Sequence, residues 1–137
     1  MMVVVDTSVW SLALRRRREQ LSSSEAKLAT MLAELIREGR VELLGLIRQE
    51  LLSGIRDEAQ LLKLLNMLRA FPNPSLEIAD YEEAARINNL CRSRGIAGSA
   101  IDFLICAVAH RRQWAIFTNN HDFHKYASVI PLQLLPA

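Results

Sequence analysis

Only two cysteines, Cys91 and Cys106, occur in the 137 residues, too few for a disulfide framework or a cysteine-based zinc site. Two buried thiols in a reducing cytoplasm are what that count implies. No apolar run is long enough to cross a bilayer, and no basic segment leads into an apolar stretch with a small-residue cleavage site. Neither membrane insertion nor secretion is therefore expected. Internal repeats, low-complexity tracts and linkers are also missing, so residues 1–137 are expected to form a single domain burying its own core. Half of the residues are hydrophobic and 23% are charged, which is ordinary for a globular protein.

A formal net charge of +2 does not by itself identify a nucleic-acid binder, but the positive charge is unevenly spread. Arg15, Arg16, Arg17 and Arg18 form a block, while Arg92, Arg94, Arg111 and Arg112 flank the segment that carries Asp102. Basic groups around an acidic pocket suit a polyanionic substrate drawn towards bound cations. The same arginines would also serve as a solvated helix face.

Met2 to Val5 reads as a buried strand, because apolar residues run consecutively without polar alternation. A short helix over Thr7 to Leu14 follows. Ser22 and Glu25 have capping-box spacing and open a helix to about Glu38, with Leu28, Met31, Leu32, Leu35 and Ile36 on one face and Gly39 ending it. Val41 to Leu46 is the second expected strand. Helices are then expected over about Arg48 to Ser53 and Asp57 to Ala70. Ser75 to Ile78 reads as a third short strand. Asp80 and Glu83 repeat the capping spacing before a helix through Cys91, and Ser99 caps the apolar helix of Asp102. Trp114 to Phe117 is a further strand, His121 to Tyr126 a helical turn, and Val129 to Leu134 an edge strand that tolerates Pro131. Strands alternating with helices predict an α/β fold: a central, mostly parallel sheet of four to five strands with helices on both faces.

In such sheets ligands bind beyond the carboxyl ends of the strands. Asp6 follows the first strand directly, Glu50 lies in the first turn of the helix after the second, and Asp102 sits in the first turn of its own helix. The run from Thr118 to Asp122 follows the Trp114 strand. Four sequence-distant segments would thus bring oxygen-rich side chains to one rim, the donor set that hard divalent cations prefer. A metal there makes bound water nucleophilic near neutral pH. Asp6 also stands where a helix cap stands, and Asp102 stands where the acid of a capping box stands. His121 and His124 have a spacing that can serve zinc but no third soft ligand nearby. Cys106, in apolar surroundings, is a poor nucleophile.

Together these segments resemble the PIN-domain nucleases, and most closely the VapC-type toxins of toxin–antitoxin pairs. The matching stretches are Val3 to Trp10, Gln49 to Arg56, Gly95-Ile96 with Ile101 to Ala109, and Phe117 to Phe123. The resemblance implies a three-layer PIN-like fold and a Mg²⁺- or Mn²⁺-dependent ribonuclease. Asp6, Glu50 and Asp102 match its acidic positions. Asn120 stands where many relatives carry Asp, so either Asn120 or Asp122 fills the fourth position. Thr118, with Thr7 and Ser8, would support the acids. Arg15 to Arg18 would hold RNA. The resemblance also implies a cognate antitoxin and a homodimer, with seams on the leucine-rich helices between Ser22 and Ala70. A catalytically degenerate scaffold, motivated by Asn120, and a DNA nuclease are the alternatives.

Overall fold

The computed structural model describes residues 1–136. Its sheet has four strands: β1 (Val3–Val5), β2 (Val41–Glu42), β3 (Ala115–Phe117) and β4 (Leu134–Leu135), in the order β2-β1-β3-β4 with every pair parallel. Val3 aligns with Val41 on one side and Ala115 on the other, and Val5 aligns with Phe117. Successive side chains on a strand point to opposite faces. All six residues of β1 and β3 are nonetheless fully buried, so both faces of the sheet are covered. That is why these strands read as unbroken apolar runs.

The helices are α1 (Thr7–Leu14), α2 (Ser23–Arg37), α3 (Gly45–Leu52), α4 (Glu58–Leu68), α5 (Ile78–Ser93), α6 (Ala100–Arg112) and α7 (Asp122–Ala127). They sort into a group in which α1 packs on α2 and α3 and α3 on α4, and a pair, α5 with α6, in which α6 lies against β1 and β3. The capping box at Ser22 is present: its hydroxyl accepts from the Glu25 amide at 3.1 Å, and Glu25 accepts from the Ser22 amide at 2.9 Å. Gly39 adopts φ +68°. The Arg40 amide then bonds back to Leu35 O at 3.0 Å, closing α2 with a left-handed residue that costs glycine little.

Three expected elements change. The second strand stops at Glu42 because Leu44 becomes the cap of α3; Leu43 and Leu44 are buried without joining the ladder. Ser75 to Ile78 is not a strand, since Glu77 caps α5 and Ile78 is its first residue. The edge strand is confined to Leu134–Leu135, because the amides of Val129 and Ile130 both bond to Tyr126 O at the end of α7.

Asp80 does not open a helix with Glu83. It lies inside α5, where Oδ2 accepts from the Glu77 amide at 2.7 Å. It is fully buried and meets two guanidiniums from α6, Arg111 at 2.6 Å and Arg112 at 2.9 Å. Burial alone would push its carboxyl upwards, but the Glu77 amide and the two arginines hold it below the ordinary range. Arg112 also lies 5.2 Å over the Trp114 ring. Two arginines that looked available to a substrate therefore lock α5 to α6. Removing one partner of a buried pair strands the other. Asp80→Asn should lower stability in urea by about 2–3 kcal/mol, less than for a fully buried triad because the arginines reach solvent. With a lowered folded-state pKa, the contribution is complete above the unfolded value near 3.9 and is lost as pH falls below it. The difference between wild type and variant should shrink in that acid range.

Candidate active site

Asp6 leaves the sheet at a fixed point. Its amide donates to Phe117 O at 2.9 Å, extending the β1–β3 ladder one residue past Val5. It is the cap residue of α1, and its carbonyl accepts from the amides of Val9 and Trp10. Its carboxylate, however, makes no capping bond. Oδ2 instead accepts from Ser8 Oγ at 2.8 Å and from Thr118 Oγ1 at 2.9 Å. Each hydroxyl in turn accepts from a loop amide, Asn119 N onto Ser8 and Asn120 N onto Thr118, both at 2.9 Å. With the lone pairs facing those amides, both hydroxyl protons are directed at Asp6. The capping role that the sequence left open for this carboxylate is not the one it takes.

The same holds for Asp102. Ser99 caps α6 by accepting from the Asp102 amide at 3.1 Å, so Asp102 contributes its backbone N–H to the cap and not its carboxylate. Its carboxylate points elsewhere: Oδ2 accepts from the Tyr126 hydroxyl at 2.7 Å. Burial pushes this carboxyl above the ordinary range, and the charges of Asp6 and Asp122 push it further, against the pull of the Tyr126 and Ser99 hydroxyls. Asp6 and Asp122 are thus each near enough for their charge to act on Asp102. The same burial, with Asp102 adding to it, drives the Cys106 thiol upwards, which makes it inert.

Glu50 is less deeply set. Helix α3 begins at Gly45, earlier than expected, so Glu50 lies in the second turn and is exposed. Its Oε1 accepts from Thr7 Oγ1, the residue after Asp6. Asn120 turns its side-chain oxygen to the Asp122 amide at 2.9 Å, steadying the start of α7. Asp122 lies 3.6 Å from Lys125. His121 and His124 stack with ring centres 6.0 Å apart.

Among the described residues, Asp6, Glu50 and Asp102 form no ion pair, whereas buried Asp80 has two. No three His, Cys, Asp or Glu side chains among the described residues form a group that could hold a metal ion, so the expected gathering of four segments is not present as one ligand cluster. The hydrogen bonds occupy one oxygen of each acid: Oδ2 of Asp6, Oδ2 of Asp102 and Oε1 of Glu50. The other oxygen of each remains for a cation or water. One or two carboxylates, each with a free oxygen, could hold a hard divalent cation that keeps several of its own waters.

The arginine block divides. Arg15 donates to the carbonyls of Leu51 and Ser53 and so caps the end of α3. Arg16 pairs with Glu25 at 3.0 Å, and Arg18 reaches Thr30 Oγ1 at 3.5 Å. A cleft of about 800 Å³ beside Arg15 is lined by Leu14, Arg15, Arg56, Asp57, Lys63 and Met67 among others, and not by Asp6, Glu50, Asp102 or Asp122. Arg56, just before α4, and Lys63, on α4, are basic groups that the sequence did not single out for a substrate, and both line this cleft with Leu14 and Arg15. Tyr126 was likewise missed, because its partner lies 24 positions away.

A strand-ordered parallel sheet with acids at its carboxyl rim defines an α/β protein with a candidate cation site. The family model of the PIN domain matches residues 3–129, and the chain belongs to that family. Its fold is similar to FitAcB from Neisseria gonorrhoeae (TM-score 0.73, 20% identity, 97% of this chain and 96% of that one). It is also similar to VapBC2 from Rickettsia felis bound to a DNA fragment from its promoter (0.74, 16%, 98% and 97%). A third similar structure is VapBC-5 from Mycobacterium tuberculosis, a member of the VapBC family of toxin-antitoxin systems (0.67, 17%, 100% and 100%). No curated protein matches the chain in sequence.

The electrostatics give a test of the acid cluster that requires no substrate. With a raised folded-state pKa, Asp102 costs stability once pH exceeds its unfolded value, and the cost is complete above the folded one. Asp102→Asn keeps an oxygen for Tyr126 and removes the charge. In chelator at pH 8 it should melt higher than wild type by roughly 3 °C, the effect of about 1 kcal/mol in a domain of this size. A lower melting temperature for the variant would contradict the repulsion.

Proposed function

We propose that residues 1–137 form one nuclease domain that hydrolyses RNA phosphodiester bonds with Mg²⁺ or Mn²⁺ and acts as the toxin of a toxin–antitoxin pair. The observation that carries this reading is Asp6: a buried carboxylate held by two hydroxyls, its charge felt by Asp102, and in no ion pair among the described residues. Asp6 and Asp102 would hold the principal ion, with Glu50 as a further ligand or as the group that orients water. When bound, the ion activates water and offsets negative charge on the phosphate.

Ser8 and Thr118 hold the Asp6 carboxylate, and Thr7 holds Glu50. The free Glu50 oxygen is exposed, so it can take a proton from an attacking water and release it to solvent. Asp122 supplies the fourth negative charge and Asn120 secures the helix that presents it, which favours Asp122 for that position. Arg56 and Lys63, with the rim of the arginine block, would hold the RNA backbone. The products expected are a 3′-hydroxyl and a 5′-phosphate.

The fold's likeness to FitAcB and VapBC structures supports an antitoxin partner. Ile36, Leu46, Leu62 and Met67 are exposed on the helices between Ser22 and Ala70, which supports a homodimer there. A cytoplasmic setting fits the two free thiols. Asn120 adds no negative charge where the resemblance expects an acid, and this motivates a second reading, a degenerate scaffold that binds RNA or protein without cleaving.

The deciding experiment compares cleavage of RNA and of DNA in Mg²⁺ by wild type, Asp6→Asn and Asp102→Asn. RNA cleavage by wild type should fall by on the order of 10²–10³ in each variant. Unimpaired cleavage in either variant rejects the proposed centre, no cleavage by wild type favours the scaffold, and preference for DNA rejects the ribonuclease. Expression should arrest growth, with rescue by the adjacent reading frame. A separate outcome is expected from Arg56→Ala with Lys63→Ala: KM rises, kcat changes little and the salt dependence of binding weakens, the pattern for lost phosphate contacts.

A further inference from the structure

We infer that Tyr126 is a positioning residue for the cation centre: its hydroxyl fixes Asp102 so that the second carboxylate oxygen is presented towards Asp6. This rests on the metal-dependent reading above and adds to it a residue outside the acid set. Tyr126 is fully buried, and its ring is held on two sides, by Phe103 at 5.2 Å and 54° and by Phe123 at 5.2 Å and 79°. Such tilted and edge-on contacts leave the ring little freedom. Its hydroxyl donates to Asp102 Oδ2 at 2.7 Å, the short distance of a charge-assisted bond.

The approach has a second requirement. A Cβ on Gly98 would lie 2.5 Å from the Tyr126 hydroxyl oxygen, 2.7 Å from Phe103 Cζ and 2.9 Å from Tyr126 Cε1. Only a residue without a side chain lets the phenol reach Asp102 past the loop. The φ of Gly98 is not positive, unlike those of Gly39, Gly54 and Gly95, so close approach and not backbone conformation calls for glycine there.

A phenol suits this role where a lysine would not. A neutral donor fixes the direction of a carboxylate without neutralising it, and the negative charge stays available to a cation. An ammonium in the same place would form an ion pair and compete for the site. Asp80 shows the contrast, since its two arginines leave it nothing to offer.

The test is Mn²⁺ titration of the intact protein, by calorimetry and by the metal-induced rise in Tm. Tyr126→Phe keeps the ring and removes the donor; Mn²⁺ affinity should fall roughly 10–100-fold, the usual cost of losing a group that orients a metal ligand. Gly98→Ala keeps the phenol but displaces it, and should weaken Mn²⁺ in the same direction. In an Asp102→Asn background, Tyr126→Phe should produce no further loss. Equal Mn²⁺ affinity for wild type and Tyr126→Phe overturns this inference while leaving the metal reading intact. Absence of Mn²⁺ binding by wild type overturns both.

Discussion

A carboxylate taken out of water must be met by something, and this protein meets its two buried ones in opposite ways. Asp80 receives an amide and two guanidiniums and becomes part of the scaffold. Asp6 receives two neutral hydroxyls, with Asp102 and its charge close by. Desolvated like charges without a cation are costly, so the fold holds this arrangement against its own electrostatics. Stability elsewhere offsets that cost, above all the doubly covered sheet and the α5–α6 lock. The contrast between the two aspartates separates an acid spent on the scaffold from one left without a cation more sharply than burial does, because both are buried.

Strand register converts this charge problem into a site. Val5 aligns with Phe117, so the next residue of each chain segment, Asp6 and Thr118, emerges at the same level on adjacent strands. Their hydrogen bond follows from the ladder and needs no adjustment of either loop. Helix α6 packs against both strands, and its first turn brings Asp102 to the same rim. A register slip of one residue would turn Asp6 to the other face, leaving the hydroxyls with no acid to hold. The short strands are therefore enough, provided that each ends where it does.

What could be read from the chain in advance follows the range of the interactions involved. α1, the Ser22 capping box and the Ser99 cap were legible because each depends on neighbours a few residues apart, and β1 because burial on both faces leaves an unbroken apolar run. The placements of Asp6 at the end of β1 and of Asp102 in the first turn of α6 were legible too, since they follow from the alternating elements and the Ser99 cap. The roles of Arg15, Arg111 and Arg112 were not: a guanidinium facing α3 carbonyls or a buried acid has the same local sequence as one facing solvent. Asp80 misled for a related reason. Its spacing to Glu83 imitates a cap, but α5 starts earlier and turns the side chain inward to α6. Gly98 and Tyr126 were illegible as a pair, because nothing in a loop glycine or a helical tyrosine announces an approach between them.

The acids also grade in exposure, from buried Asp6 through half-buried Asp102 to exposed Glu50, and the grading matches the division of labour proposed for them. A group that holds an ion gains from desolvation, which strengthens its attraction to the charge it binds. A group that relays protons must keep contact with water. Glu50 keeps that contact, yet it is not loose: Thr7 at the start of α1 holds its side chain, and Arg15 just beyond the other end of α1 holds the carbonyls of Leu51 and Ser53. Helix α1 thus grips α3 at two points, and its first residue follows Asp6 directly. The distance between the most buried acid and the most exposed one is therefore set by a single short helix, so that ion and water would be positioned by the same rigid element.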